Sequence, residues 1–280
     1  PDPYFDGKGP ERTGCKHCGA CMTGCRHGAK NTLDKNYLYL AEGLGAVVLA
    51  ETEVTAVRAQ DEGGFVVETQ RSYGLRKGAQ TFTADRVILS GGVLGTTELL
   101  LKMKADSAGL PNLSQRTGQM IRTNNESLIG VTTRRRDIDL SKGIAISSIL
   151  HTDDHSHVEP VRYGSGSGFF RMLTLPHASG RFVFKRLAST GRFLVRHPLK
   201  SIQAFTVPDW AKFTTILLYM QSLEGTLNFI WSPTVGLRSE LPKDTEVPTA
   251  SIPEATDIAQ RFADKIDGVP MSLFTETLLN

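Results

Sequence analysis

The chain has 280 residues, 40% of them apolar and 22% charged, a globular balance that excludes a disordered or collagen-like polymer. At roughly 150 residues per domain there is room for about two domains. The net charge of +3 is too mild to point to nucleic acid, and the longest apolar runs, such as Ala46–Ala50, fall far short of the roughly 18 residues a membrane span needs. The sequence opens on Pro1 without a charged-then-apolar leader, and it reads as a piece of a longer chain or a processed product.

Residues 1–30 are rich in Gly and Pro and read as loop. They hold all four cysteines: Cys15, Cys18, Cys21 and Cys25. A secreted disulfide scaffold would spread its cysteines, and neighbours this close are poorly placed to pair with each other. A reducing compartment follows, read as cytoplasmic. The spacing C-x2-C-x2-C-x3-C is that of a bacterial ferredoxin, with Arg26 where the usual proline stands. An iron–sulfur electron-transfer protein is therefore one reading. His17 and His27 allow a zinc reading. Small thiols packed in a Gly-rich loop are the third.

A helix is expected over Thr32–Glu42, stopped by Gly43 and Gly45, followed by a short buried strand at Gly45–Leu49. Glu53–Arg58, Gly64–Thr69 and Gln80–Ala84 read as an antiparallel meander turning first at Gly63-Gly64. Asp85–Ser90 reads as a buried strand running into Gly91-Gly92-Val93-Leu94-Gly95 and then a helix over Thr96–Lys104. Strand, Gly-rich turn and helix can bring backbone N–H groups up to a phosphate, although this motif is looser than the dinucleotide fingerprint. Beyond residue 124, Ser127–Thr133, Gly143–Leu150 and His157–Arg162 predict a larger antiparallel sheet. Between Val161 and Pro208 there are eight Lys or Arg and no Asp or Glu, interleaved with Phe, Leu and Val. This segment reads as a surface helix with basic stems along its edges, or as a peripheral membrane flap. Trp210–Gln221 and Thr226–Ser232 read as a hairpin around Glu224-Gly225, and Pro253 opens a last helix with Ala255, Ile258, Ala259, Phe262 and Ile266 on one stripe.

Three stretches in this order carry a resemblance. They are Cys18-Gly19-Ala20-Cys21 through Gly28-Ala29-Lys30-Asn31 to Asn36-Tyr37-Leu38; Ala84-Asp85-Arg86-Val87-Ile88-Leu89-Ser90-Gly91-Gly92 through Gly95 to Leu100; and Gly109-Leu110-Pro111-Asn112-Leu113-Ser114 with Arg122–Glu126. Together they resemble the glucose–methanol–choline flavin oxidoreductases, in their bacterial sterol-oxidising branch. The resemblance implies an α/β FAD-binding domain, here partial and lacking its N-terminal βαβ unit, over residues 1–126. It implies an α+β antiparallel-sheet substrate domain over 127–250 and a helix returning toward the FAD-binding domain over 251–280.

The implied reaction is hydride transfer from a bulky hydrophobic alcohol to FAD. By position, Gly28, Ala29, Asn31, Val54, Gly91, Gly92, Gly95 and Asn124 would bind the cofactor. Two residues would be catalytic: Asn125, near the isoalloxazine, and Glu159, acting as a base. The family's Gly-x-Gly-x-x-Gly turn and its C-terminal histidine segment are not in this sequence, so residues 1–280 are expected neither to hold FAD tightly nor to turn over alone. The resemblance also turns the reading of the cysteines away from a metal cluster. The group His151, His155, His157, Asp153 and Asp154 is read as a polar loop at a sheet edge rather than a metal site, with His155 and His157 on one face. The alternative to a catalytic Glu159 is a solvated or paired glutamate at a strand end, with Arg162 as the expected partner.

Overall fold

The computed structural model describes residues 5–75, 77–122, 125–180, 182–222, 225–242 and 251–279. In chain order its elements begin with α1 (Tyr37–Gly43), β1 (Thr52–Ala59), β2 (Phe65–Arg71), β3 (Ala79–Ala84), α2 (Val93–Ala105), β4 (Ile121–Arg122) and β5 (Asn125–Thr133). Then come β6 (Leu150–His151), β7 (Ser156–Val161), β8 (Thr174–Pro176), α3 (Val183–Arg196), α4 (Pro198–Phe205) and α5 (Trp210–Phe213). The last are β9 (Thr214–Gln221), β10 (Thr226–Ser232), β11 (Gly236–Glu240), α6 (Pro253–Lys265), β12 (Gly268–Leu273) and α7 (Phe274–Leu279). They form two compact units. One comprises residues 45–123 with 224–248, and the other residues 1–44, 124–223 and 249–280.

The first unit contains the meander β1-β2-β3, as its alternating residues predict, and a second small sheet in the order β11-β10-β4. Helix α2 packs on β1, where Met103 is fully buried and its sulfur accepts the Val57 N–H at 3.3 Å. Arg58 ties the ends of this layer together, with Nε donating to Glu68 and Nη1 to Asp106, each at 2.7 Å. Two expected strands are absent. Gly45–Leu49 and Asp85–Ser90 have no ladder partner among the described residues, and Val47 and Ile88 are more than 80% exposed. Apolar composition sets the tendency to pair, but a strand exists only where a neighbour supplies the other half of its hydrogen bonds.

The second unit is built on a six-stranded sheet in the order β6-β7-β9-β5-β12-β8, antiparallel throughout. Residues alternate between its faces. One face presents Ile129, Val131, Val158, Leu217 and Tyr219, all buried beneath α6. The helix meets them through Ala255, Ala259 and Ala263, whose small side chains let its backbone come close to the sheet. Pro253 opens this helix as expected, and Ile258, Phe262 and Ile266 close its flanks. The opposite face carries α3 and α4 at β12, where Phe193, Ala204 and Phe205 pack on Val269 and Met271.

Three further expectations need correction. Gly143–Leu150 is not a strand apart from Leu150 and two isolated bridges, from Gly143 to Cys18 and from Ile146 to Val161, because the Arg162 guanidinium takes the Ile144 carbonyl and the Ser147 hydroxyl. Trp210–Ser232 is not a hairpin. Asp209 caps a helical turn by accepting the Ala211 N–H at 3.2 Å, and β9 and β10 belong to different sheets. Residues 223–224 of that expected turn lie outside the described residues. The helix over Thr32–Glu42 begins as a 3-10 turn at Leu33–Lys35 and becomes α-helical only from Tyr37, where the Asn36 side chain accepts the Tyr37 N–H.

Ala259 has no exposed surface, so Ala259→Leu should overfill the contact between α6 and the sheet and cost about 1–3 kcal/mol. The urea midpoint should drop in that variant. It should hold within about 0.5 kcal/mol in Asp257→Ala, on the exposed side of the same helix.

Candidate active site

The cysteine loop is fastened to the sheet unit through its backbone. Gly19 N–H donates to the Gly143 carbonyl at 2.8 Å, and Gly143 N–H returns a bond to the His17 carbonyl at 2.9 Å. Gly19 has φ near +69°, and a Cβ there would lie 2.4 Å from the Ser141 carbonyl, so only glycine fits. The four thiols are free and do not converge: among the described residues no three His, Cys, Asp or Glu side chains surround a common centre. The ferredoxin and zinc readings have no support from this geometry. Backbone N–H groups of Lys30, His27 and Ala29 lower the Cys25 pKa below the ordinary thiol value.

The residues that the resemblance assigns to FAD fall in two places. In the sheet unit, Gly28 takes a left-handed turn at φ +66°. The Ala29 carbonyl accepts from Arg12 at 3.0 Å, and Asn31 Oδ1 accepts from Arg12 at 2.6 Å and from Asn36 at 3.2 Å. In the other unit, Val54, Gly91 and Gly95 line one cleft of about 680 Å³, with Ser90, Thr96 and Lys102. Gly92 caps α2 at φ +82°, and a Cβ at Gly92 or Gly95 would meet nothing within 4 Å. The α2 N-terminus therefore presents backbone N–H groups to open space, with no side chain capping them. These residues fit a phosphate-bearing cofactor. Asn124 lies outside the described residues.

An apolar cavity of about 430 Å³ lies on the sheet face opposite α6. Its floor is Leu128 and Gly130 from β5, Ile216 and Leu218 from β9, and Val161 from β7. Its wall is a ring cluster in which Tyr163, Phe170 and Trp210 stand 4.7–5.7 Å apart between centroids. The sequence alone did not mark this wall, because its three aromatics are distant along the chain. The floor was legible as the alternation in Ser127–Thr133.

Glu159 belongs to this face. It stands opposite Leu218, which stands opposite Leu128, and it is two residues from Val161. Its carboxylate is half-buried, with Oε1 3.9 Å from His157 Nε2, and the His157 ring lies 5.8 Å, tilted by 55°, from its cross-strand partner His151. The shared strand face of the histidines is thus real, but its members are His151 and His157. His155 sits in the turn, where its N–H donates to Asp153. Arg162, the expected partner of Glu159, is engaged at Ile144 and Ser147 instead.

Asn125 is on the other face. Its Nδ2 donates to Gln221 Oε1 at 3.2 Å, and Gln221 Nε2 donates to Ser156 Oγ at 3.4 Å, a polar row across three strands. The row lies three positions from that of Glu159, so the strand alternation separates the two expected catalytic residues.

A second, smaller chamber of about 50 Å³ was not anticipated. His177 and Glu276 both line it. His177 is held between the hydroxyls of Ser272, at 3.3 Å, and Thr256, at 3.1 Å. Burial pushes the imidazole down to about 4 and the carboxyl up to about 7.

One unit thus carries a Gly-rich cleft beside a helix N-terminus, and the other an apolar cavity on a sheet face that also holds Glu159. Residues 10–133 match the GMC oxidoreductase family model, a domain of FAD-binding flavoproteins. The chain is 42% identical over 282 residues to a cholesterol oxidase of Mycobacterium tuberculosis H37Rv, a match covering 96% of this chain and 48% of that protein. It is 39% identical over 292 residues to a cholesterol oxidase of Acinetobacter baumannii, covering all of this chain and 52% of that protein. The chain thus spans about half the length of the curated relatives it matches.

The chamber makes a test of burial. His177 titrates near 6.5 unfolded and near 4 folded, so its contribution is whole above 6.5 and is lost as pH falls toward 4. Glu276 acts oppositely: the unfolded chain ionises at about 4.5 while the folded one waits until about 7, so stability is lost as pH rises through that window. The two slopes oppose each other between pH 4.5 and 6.5. In His177→Gln the opposing His177 slope is removed, and the urea midpoint should fall, relative to the parent's, as pH rises from 4.5 to 6.5. A variant whose profile matched the parent's would show that His177 is not buried neutral.

Proposed function

We propose that the protein is an FAD-dependent oxidoreductase acting on CH–OH groups, and that its substrate is a sterol or a similarly bulky hydrophobic alcohol. The observation that carries this reading is the 430 Å³ apolar cavity with Glu159 on the same sheet face. Its volume and lining are those of a small-molecule site that buries most of its ligand. The names of the two relatives support the substrate class. Peripheral contact with a lipid surface belongs to the same reading, because alcohols that suit such a cavity reside in lipid. The clustered free thiols support a reducing, cytoplasmic location.

Val54, Gly91, Gly92 and Gly95 would hold FAD in one unit, with Gly28, Ala29, Asn31 and Asn124 in the other. Residues 1–126 would serve the cofactor, 127–250 the substrate, and 251–280 would return to the cofactor side. FAD held by these residues would supply a hydride acceptor for the carbinol carbon. The cavity floor orients the rings of the alcohol and excludes water. The Glu159 carboxylate accepts a proton from the substrate, and His157 steadies it from 3.9 Å away. The Asn125 amide, fixed by Gln221, acts on the cofactor side and not in the proton step. The chain spans half of its relatives and carries no Gly-x-Gly-x-x-Gly turn, which supports a 280-residue piece inactive by itself.

The test uses the whole flavoprotein with Glu159→Gln. The variant should keep its flavin absorbance and lose about 10²–10⁴ in the proton-dependent rate. An unchanged rate removes Glu159 from the chemistry. A whole protein that purifies without flavin overturns the oxidoreductase reading itself.

A further inference from the structure

The cysteine motif has no part in the reaction proposed above, yet the loop that carries it is built onto the alcohol cavity. Two segments receive it. One is Ser141–Gly143, and the other is Tyr163-Gly164, beside the aromatic wall. Cys18 bridges in parallel to Gly143, and the Gly19 and Gly143 N–H groups bond across the same junction. Gly164 makes the second close approach. A Cβ there would lie 2.9 Å from the Ala20 Cβ and 3.0 Å from the Cys18 carbonyl, so a larger residue would lift the loop away. A Cβ on Gly19 would likewise lie 3.1 Å from the Tyr163 carbonyl. Glycines on both sides thus let two backbones meet, and the Tyr163 ring is left to the cavity.

The course of the chain after Gly19 decides what the loop presents. Gly19 takes the left-handed conformation and starts a 3-10 turn over Ala20–Thr23. Thr23 Oγ1 donates to the Ala20 carbonyl at 3.2 Å, and Lys30 Nζ donates to the Cys21 carbonyl at 3.2 Å, which fixes the turn. Met22 is the long apolar side chain of this turn, and it lines the cavity together with Ile146, Tyr163 and Phe170. It is also 51% exposed. A side chain that meets the cavity and the solvent at once stands at the mouth. Its unbranched thioether can adapt to the shape of what passes. Lys30 lies between Ala29 and Asn31, so the same short loop reaches the cavity at one end and residues assigned to the cofactor at the other.

We infer that the cysteine loop is the outer wall of the cavity, and that Met22 is a specificity-determining residue that sets how bulky an alcohol the mouth admits. The inference rests on the reading of this cavity as the alcohol site. The thiols supply its reporters. Cys21 is half-buried and adjoins Met22, whereas Cys15 precedes the Gly19 junction and is exposed.

The experiment uses the whole flavin-loaded protein and has two arms. In the first, the thiols are labelled with N-ethylmaleimide and mapped by peptide mass, with and without progesterone, a steroid that carries no hydroxyl. Progesterone should slow the labelling of Cys21 several-fold and leave Cys15 at its free rate. In the second, kcat/KM is compared for detergent-dispersed cholesterol and for cyclohexanol. Met22→Trp should lower the cholesterol-to-cyclohexanol ratio by roughly tenfold or more, and Met22→Leu, of similar volume, should keep the parent's ratio. Cys21 labelled at one rate with and without progesterone, or a Met22→Trp ratio equal to the parent's, would overturn the inference. So would a Met22→Leu ratio that falls as far as that of Met22→Trp, since bulk would then not be what the position reads. A parent that oxidises neither alcohol would strike the function reading instead, and the labelling of Cys21, which needs no turnover, would still decide where the loop stands.

Discussion

The contact between α6 and the six-stranded sheet is the constraint on which the site depends. Three alanines at helical spacing bring the helix down onto Ile129, Val131, Val158, Leu217 and Tyr219. That contact commits one face of the sheet to the core. Strand alternation then sends Leu128, Gly130, Ile216 and Leu218 to the other face, where α3 and α4 pack at β12 and leave the floor of β5 and β9 to the cavity. The cavity is what remains between that floor and the aromatic wall. A one-residue slip in β5 or β9 would turn the floor into core and the core into floor. The same parity rule places Glu159 on the cavity's face of the sheet and Asn125 on the other.

The sheet could be read from the sequence to the extent that its strands announce themselves locally. The meander β1–β3, the helices α2 and α6, and the strands β5 and β7 each carry their own period and punctuation. Gly45–Leu49 and Asp85–Ser90 show the limit of such reading. Both are apolar enough to be strands, yet strand formation depends on a partner that composition does not name. The supposed hairpin at Trp210–Ser232 failed for a related reason. Two good strands adjacent in sequence joined different sheets, because β9 found β5 and β7 on either side. The Asp209 cap at Trp210 was the local sign that the first strand starts later.

The site was legible unevenly. The cofactor residues came from a resemblance, and the structure gathers Val54, Gly91 and Gly95 around one cleft. The cysteine spacing pointed to a cluster because spacing is all a sequence shows. Convergence of thiols is a property of the folded loop, and this loop spends its geometry on the Gly19–Gly143 bridge instead. The aromatic wall and the His177–Glu276 chamber were not legible, since their members are brought together only by the sheet.

The account's central claim is that the cavity on the free sheet face holds the alcohol. The most direct measurement is anaerobic bleaching of the flavin by a sterol in the whole protein, compared with Leu218→Trp, which fills the cavity from its floor. The account predicts that the variant retains its flavin and a small alcohol still reaches it, while the sterol bleaches it far more slowly than in the parent. Sterol bleaching at the parent rate in Leu218→Trp would contradict it, because the alcohol would then be bound somewhere other than on this face of the sheet.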